Sequence, residues 1–421
     1  MQLRNPALSG SWQSVANPAG WSWSHGLTIQ RKNRSFRAAG FDVSSLLPAA
    51  TVTYYVSKTG SDGNTGADWD NALRNIYTAV QKADVDRIYI GAGVWSRDDG
   101  WQGIDLIRTC GIIGVGTVLI TGHDAGLVWV SEGPGLPNTY STTRSTTQGV
   151  YDALYPDANG DYLKYTLKAS SAEVDANAGS WYMDGANKLW VRCTDDRAPD
   201  DNIWPMLNAF NGDCLGDIHV YFENLVFVGG SHCFRHQSSG AGQTPELYVK
   251  NCTFRQGSNG NGLTLLGISK AILQGCLAAG NTGDGLNYHV QNAITPRAIE
   301  INCTTRDNGL AGDDDQGSSM HDAGSVVRLN GRSHRNKGGN YVESAAAESW
   351  AMGCLSYDSE ASIAGARSNF ELQGGVGVMW LDRCNSCDSD YDILAGASTT
   401  IHTRDFHSEA VNGGAGTIDT Y

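Results

Sequence analysis

A short phrase, one polar or glycine residue followed by a small or apolar one, recurs along the second half of the chain. Its second members are 21 to 30 residues apart, and a short apolar run usually precedes each of them. A period near 25 residues with strands this short predicts a solenoid, in which each turn buries its inner face by stacking on its neighbours. The occurrences are Asn224-Leu225, Asn251-Cys252, Gly275-Cys276, Asn302-Cys303, Asn330-Gly331, Gly353-Cys354, Arg383-Cys384 and Arg404-Asp405.

Four turns can be aligned on a glycine, over residues 261–266, 284–289, 316–321 and 338–343. Side chains alternate along a strand, so one apolar column is predicted to face the core. The same alignment predicts that His289, His321 and Glu343 point outwards as a ladder with neighbours about 5 Å apart, the spacing of stacked coils. The apolar column is Leu265, Tyr288, Met320 and Val342, and the opposite face carries Thr264, Asn287, Ser319 and Tyr341.

The beginning of the main body has a different pattern. Residues 54–57 and 86–95 are rich in strand-forming residues, and residues 60–66 form a glycine-rich turn. Between them, apolar residues recur at helical spacing over residues 69–83, with Asp70 as the expected N-cap. Asp62 and Asn64 are interpreted as turn formers, because no acidic ligand follows at the spacing that a calcium loop requires.

This order of strand, glycine turn, short helix and strand resembles the N-terminal cap of right-handed parallel β-helix proteins of the pectate-lyase-like group. The resemblance covers residues 51–130 by motif and residues 215–415 by period. It implies an all-β fold, a right-handed single-stranded parallel β-helix with a short N-terminal capping helix and a β-hairpin insert. The group contains lyases, hydrolases, isomerases and inert structural proteins, so the resemblance specifies the fold and not the activity.

Four segments follow from this interpretation. Residues 1–50 form an arm for attachment or partner docking, residues 51–130 the cap and first coils, residues 131–214 a β-rich insert, and residues 215–421 the remaining coils and tail. Three tryptophans of the arm, Trp12, Trp21 and Trp23, dock onto another subunit or partner, or else pack on the chain's own coil. In the insert, Trp181 and Trp190 either stack on sugar rings or attach the insert to the coil.

Composition narrows the classes of partner. The net charge of −14 argues against nucleic acid, whose phosphates require clustered Lys and Arg. No apolar run reaches the length needed to cross a bilayer, so no membrane insertion is expected. The residues from Met1 to Pro6 form no hydrophobic signal region, which predicts synthesis without secretion. Five of the 10 cysteines (Cys252, Cys276, Cys303, Cys354 and Cys384) share one place in the repeat and are predicted to be buried free thiols.

An acidic loop next to the predicted ladder is the best candidate for chemistry. A carboxylate pair there would suit glycoside hydrolysis, and a histidine base with a cation such as calcium would suit β-elimination from a uronic acid polymer. His321 is the predicted base or proton shuttle, and no resident cofactor is expected. The catalytic candidates are Asp284, Asp313, Asp314, Asp315, His321 and Glu343, and the substrate-binding candidates are His289, Asn287, Tyr341, Trp181 and Trp190.

Two hypotheses about function remain open, with a third beside them. The first is a phage tailspike-like virion protein that binds, and in one version depolymerises, a bacterial surface polysaccharide, as a homotrimer attached to other virion proteins through residues 1–50. The second is a non-catalytic structural or decorating virion protein that uses the solenoid as a rigid strut. The third is a bacterial polysaccharide lyase or glycoside hydrolase.

Overall fold

The computed structural model describes residues 11–97, 105–106, 108–144, 146–310, 315–360 and 368–421. They form a right-handed parallel β-solenoid of about 12 turns, as predicted. No helix within these residues is long and apolar enough to span a membrane. Two α-helices, Ile76–Val80 and Ser171–Ala176, and two short 3-10 helices, Val43–Leu46 and Gly133–Gly135, are described.

Three parallel sheets, here named A, B and C, run the length of the coil. The strands of sheet A are Asp105–Leu106, Asp213–Leu215, Phe234–Gln237, Leu263–Leu266, Leu286–His289, Ser318–Met320, Tyr341–Ser344, Ser368–Gln373, Tyr391–Ala395 and Val411–Gly414. The strands of sheet B are Thr53–Val56, Glu246–Lys250, Lys270–Gln274, Arg297–Ile301, Ser325–Leu329, Glu348–Met352, Val378–Asp382, Thr400–Arg404 and Thr417–Thr420. Those of sheet C are Thr253–Arg255, Leu277–Ala279, Thr304–Arg306, Arg332–His334, Leu355–Tyr357, Asn385–Cys387 and His407–Ser408. Three longer strands cross from sheet B into sheet C: Arg87–Trp95, Cys110–Thr121 and His219–Val228.

The recurring phrase marks the corner between sheets B and C. Its first residue has a left-handed backbone, for example at Asn251 (φ 52°), Asn302 (φ 54°) and Gly275 (φ 68°), a conformation that asparagine and glycine adopt at least cost. The cysteine that follows points into the coil. All five cysteines of this column are buried and free, which confirms the prediction.

The capping helix is shorter than predicted. It covers Ile76–Val80 instead of residues 69–83, and its buried face packs on the first strands of sheet B. Asp70 is not its N-cap; that position is Asn75, whose side chain makes no capping hydrogen bond. Asp62 instead accepts the backbone N–H groups of Arg74 (3.0 Å) and Asn75 (2.9 Å). The carboxylate of the preceding glycine-rich turn therefore accepts the free backbone N–H groups just before the first turn of the helix.

The described part of the arm lies on the outer face of sheet B. It forms a three-stranded antiparallel sheet from Gln13–Ser14, Ile29–Lys32 and Ser35–Ala38. The ring of Trp21 contacts Trp350 (ring centroids 6.1 Å apart) and Trp380 (5.7 Å), so this tryptophan of the arm packs on the chain's own coil. Of the two alternatives for Trp21, the structure shows the second. Attachment of residues 1–50 to another protein stays a prediction.

The insert leaves the coil after sheet C and returns at the next strand of sheet A. Its strands form two mainly antiparallel sheets: Thr147–Pro156 with Tyr162–Lys164 and Ile203–Leu207, and Val130–Ser131 with Tyr140–Thr143, Thr166–Leu167, Ser180–Met183 and Lys188–Arg192. The expected hairpin pairs Tyr182 with Trp190. Trp181 is buried in the insert's own core, whereas Trp190 is half-buried and stacks on Tyr182 (5.5 Å).

Candidate functional site

The outer face of sheet A brings together two of the predicted histidines. Leu266 pairs with His289 in register, and the His289 and His321 rings lie parallel, 4.1 Å between centroids and 12° between planes. Both side chains are partly exposed, 37% for His289 and 22% for His321. The prediction that these two residues are neighbours on the outside of the coil is confirmed.

The predicted ladder fails at its third member, because the fourth turn is shifted by one residue. Ser318 pairs with Tyr341 and Met320 pairs with Glu343, so Glu343 occupies the inner column and Ser344 lies beside His321. A one-residue shift moves every side chain of a strand to the other face. Glu343 and Tyr341 are therefore buried inside the coil, and their predicted outward placement is wrong.

A buried asparagine explains the shift. The alignment placed Gly339 opposite Gly317, whereas Asn340 takes that place in the structure and Ser318 N–H donates to its carbonyl. The Asn340 side chain accepts from Asn336 (2.8 Å) and donates to Asn369 (2.7 Å). This ladder of amides runs through the corner between sheets C and A and fixes the register. Its members are Asn281, Asn308, Asn336, Asn340 and Asn369.

His321 is held on two sides. Its Nδ1 lies 3.0 Å from the hydroxyl of Ser344, and its Nε2 lies 3.4 Å from the amide nitrogen of Asn287 and 4.0 Å from Asp284. These contacts on both sides fix the orientation of the His321 ring. The partly exposed ring of His321 therefore lies over the buried carboxylate of Asp284.

Asp284 is a buried carboxylate with several partners. It accepts hydrogen bonds from the hydroxyl of Ser319 (2.6 Å), the backbone N–H of Gln316 (2.5 Å) and the amide of Asn287. These hydrogen bonds hold the carboxylate in place beneath His321. Asn287, predicted to bind substrate, is only 5% exposed, and its side-chain amide contacts Asp284, Ser319 and His321.

His289 has a carboxylate partner of its own. Its Nδ1 lies 3.6 Å from Asp322, which also accepts the backbone N–H of Val290 (3.0 Å). Burial, and then the neighbouring His321, lower the pKa of His289 below its ordinary value, while Asp322 opposes the shift. His289 is therefore mainly neutral at pH 7.

Part of the predicted acidic loop can be placed. Asp315 is half-buried next to Gln316, whose N–H binds Asp284. Asp313 and Asp314 lie outside the described residues. Asp315 therefore lies next to the residue that joins this segment to Asp284.

The site continues towards the insert through residues that the sequence did not single out. The His232 ring lies 2.9 Å from the hydroxyl of Thr264 and accepts the N–H of Asn261, and burial lowers its pKa to about 4. Arg235 binds Asp213 and stacks on Phe210 at 3.8 Å. The repeat could have indicated Arg235, which pairs with Thr264, but His232 lies in a corner without periodic pattern.

The inner face holds a different group of charges. Arg328 donates to both Glu343 and Glu300, and all three side chains are 0–3% exposed. Ser318 and Tyr288 also donate to Glu300, at 2.8 and 3.0 Å. Burial raises the pKa of Glu343, and Arg328 opposes that rise. These groups satisfy one another inside the coil and have no path to a polymer outside it.

The one metal-ligand group within the described ranges lies elsewhere. The ligand atoms of Cys387, Asp388 and Glu409 are within 4.8 Å of one another, in the last coils. Calcium at the histidine pair stays a prediction.

Similarity to known proteins is confined to distant solved structures. XylC in complex with xylose is 9% identical, covering 85% of this chain and 70% of that chain, with a TM-score of 0.49. A glycoside hydrolase is 10% identical, covering 88% and 96%, with a TM-score of 0.49. The Gp54 tailspike of Acinetobacter baumannii bacteriophage AP22, in complex with capsular saccharide, is 8% identical, covering 83% and 67%, with a TM-score of 0.28. No family model and no curated protein matches the chain, so the argument for an activity rests on its own residues.

Proposed function

We propose that this protein binds an acidic bacterial surface polysaccharide along the outer face of sheet A and cleaves it by β-elimination. The observation that carries the proposal is the His289–His321 pair, stacked on an exposed sheet face beside a buried carboxylate. A positioned imidazole is the commonest general base, and its ordinary pKa suits proton transfer near neutral pH.

In the proposed reaction, the imidazole of His321 takes the proton from the carbon next to the uronate carboxylate. The electron pair of that bond forms a carbon–carbon double bond, the bond from the adjacent carbon to the glycosidic oxygen breaks, and that oxygen takes a proton from water. Asp284 stabilises the imidazolium that forms. His289, stacked on His321, supplies an N–H to the substrate carboxylate. Elimination is favoured over hydrolysis by a carboxylate pair that includes Glu343, because Glu343 lies inside the coil.

The setting of the activity belongs to the same proposal. The protein acts on a virion as a tailspike-like homotrimer, and residues 1–50 attach it to other virion proteins. Since the arm's inner side is occupied by Trp350 and Trp380, attachment uses its outer side.

The test is incubation of the purified protein with uronate-containing capsular polysaccharides. Elimination gives ultraviolet absorbance from unsaturated uronates together with new reducing ends, and His321→Ala lowers the rate by about 10²–10⁴-fold. His219→Ala, a partly exposed histidine on sheet B, is the control and keeps the wild-type rate. New reducing ends without ultraviolet absorbance would show that the polymer is hydrolysed and not cleaved by elimination. Equal rates for His321→Ala and His219→Ala would contradict the role of His321.

A non-catalytic strut is the second candidate. It is favoured by the amide ladder, which joins successive turns through fully buried side chains. If no acidic polysaccharide is cleaved, the strut is favoured, whether or not the protein still binds the polysaccharide.

A further inference from the structure

The N-terminal arm and the rest of the chain carry opposite charge. Residues 1–41 contain five Lys or Arg residues and no acidic residue. The whole chain has a net charge of −14, so the remainder carries −19. This asymmetry makes the arm the part of the chain that attracts anionic surfaces, and the coil of a second copy is one such surface.

The basic residues of the arm cluster on one β-hairpin, formed by Ile29–Lys32 and Ser35–Ala38 and here named the basic hairpin. Arg31 and Arg37 donate to glutamine side chains of the arm itself, at 3.2 and 2.8 Å. Within the described part of the chain, no carboxylate lies at ion-pair distance from any cation of this hairpin. The hairpin therefore presents four positive charges whose described partners are neutral: Arg31, Lys32, Arg34 and Arg37.

The tip of the basic hairpin is fixed over the last coils. Arg34 donates to the side-chain oxygen of Asn385, and Arg383 donates to the carbonyl of Asn33 (3.3 Å). Asn385 is the first residue of the strand Asn385–Cys387 in sheet C. The tip therefore lies at the corner between sheets B and C, where the sheet C strands begin.

Three exposed carboxylates, here named the acidic corner, lie where the same strands end. Asp358 and Asp388 occupy the same left-handed position in successive coils (φ 52° and 57°). The carboxylate of Glu409, from the next coil, lies within 4.8 Å of Asp388 and of the Cys387 thiol. Burial, and then these two carboxylates, raise the pKa of that thiol to about 11. No Lys or Arg of the described ranges lies at ion-pair distance from the acidic corner, and His407 is 3.5 Å from Glu409.

The basic hairpin and the acidic corner share one face of the coil without neutralising each other. A strand of three residues spans about 10 Å, which is longer than an ion pair. A second copy packed head to tail against this face would bring its hairpin onto the corner. Such a contact joins two different patches, and three of them can close into a ring.

We propose that the basic hairpin of one copy docks on the acidic corner of the next copy. The proposal names a contact surface for the homotrimer of the proposed function and rests on that function for the number of copies. It does not depend on His321 or on the cleavage reaction. Because the copies repel each other through their net charge of −14, this local attraction also selects the orientation in which they meet.

The test is sedimentation velocity of the full chain at about 0.1 M and about 1 M NaCl, where the screening length falls from about 10 Å to about 3 Å. Wild-type protein associates at the lower salt concentration and much less at the higher one. Lys32→Glu weakens association about 10-fold or more, and the Lys32 side chain makes no described hydrogen bond that folding could lose. Lys168→Glu, on the insert, is the matched control, because it changes the net charge by the same amount.

A charge swap makes the test specific for a contact between copies. Glu409→Lys also loses association, and an equal mixture of the Lys32→Glu and Glu409→Lys proteins regains it. In that mixture every hairpin finds a corner of opposite charge on the other protein. Monomeric wild-type protein at both salt concentrations, equal loss in Lys32→Glu and Lys168→Glu, or a mixture that stays dissociated would overturn the contact.

The cleavage assay separates this contact from the proposed reaction. If wild-type protein associates in this way and cleaves nothing, the contact stands and the catalytic proposal fails. If it cleaves polysaccharide as a monomer, the reaction stands and the contact fails. A monomeric protein that binds polygalacturonate and loses this binding in Lys32→Glu would also overturn the contact, because the hairpin would then serve the polymer.

Discussion

Two neighbouring columns of sheet A share the same strands and differ in almost every other respect. The inner column is 0–1% exposed throughout and contains His236 and Glu343. The outer column is partly exposed throughout and contains His289 and His321. The inner residues are Cys214, His236, Leu265, Tyr288, Met320, Glu343, Leu372 and Ala395, and the outer ones Gln237, Leu266, His289, His321, Ser344 and Gln373.

The difference shows that residue type alone does not assign a role on a β-solenoid. His236 has no hydrogen-bond partner for either ring nitrogen within the described part of the chain, and burial lowers its pKa to about 3. His321 lies three coils after His236 along sheet A. It is at the surface, and both of its ring nitrogens have partners. The alternating direction of side chains places one histidine in the core and the other in contact with solvent.

The largest expected effect comes from breaking the ionic group inside the coil. Arg328→Met leaves Glu300 and Glu343 buried without their cation, and the free energy of unfolding is expected to fall by about 3–5 kcal/mol. Urea denaturation followed by circular dichroism measures it. Arg332→Met, at an exposed position four residues later, is the control and changes stability by less than about 0.5 kcal/mol. A loss below 1 kcal/mol for Arg328→Met would mean that the inner charges are solvated, contrary to the inner–outer division.

The second largest effect is a loss of stability in acid, caused by the buried His236. The folded pKa of His236 is depressed, so between pH 6.5 and about 3 the unfolded chain binds a proton that the folded chain does not. The contribution of neutral His236 to the free energy of unfolding is therefore fully present above pH 6.5 and is lost as the pH falls. Between pH 7 and pH 4 this residue lowers the free energy of unfolding by on the order of 3 kcal/mol.

His236→Leu is expected to remove that part of the slope and to leave stability at pH 7 unchanged or higher, because no hydrogen bond is lost. Unfolding free energies at several pH values measure it, with His219→Leu as control. A slope that stays the same in His236→Leu would show that His236 is accessible to protons in the folded protein.

The repeat predicted most of the architecture because it reports geometry that every turn must share. The spacing of the corner phrase predicted the coil and the cysteine column, and the alignment placed His289 beside His321. These features depend on the chain's period, which the sequence displays directly.

The register of the fourth turn could not be read in the same way. Aligning the turns on glycine puts Gly339 opposite Gly317, whereas Asn340 takes that place because its side chain joins the buried amide ladder. That ladder is a contact between turns, visible only once the corners are built. The packing of Trp21 was also hidden from the sequence, because its partners Trp350 and Trp380 lie more than 300 residues away in the chain. The start of the short helix was hidden too, because the backbone N–H of Arg74 binds Asp62, which belongs to the preceding glycine-rich turn.

The inner–outer division of sheet A is tested most directly by modifying the histidines of the folded protein with diethyl pyrocarbonate and locating the products by peptide mass spectrometry. The account predicts that His289 and His321 react in the native protein, whereas His236 reacts only after unfolding. Rapid reaction of His236, or protection of both His289 and His321 in the absence of any polysaccharide, would contradict it.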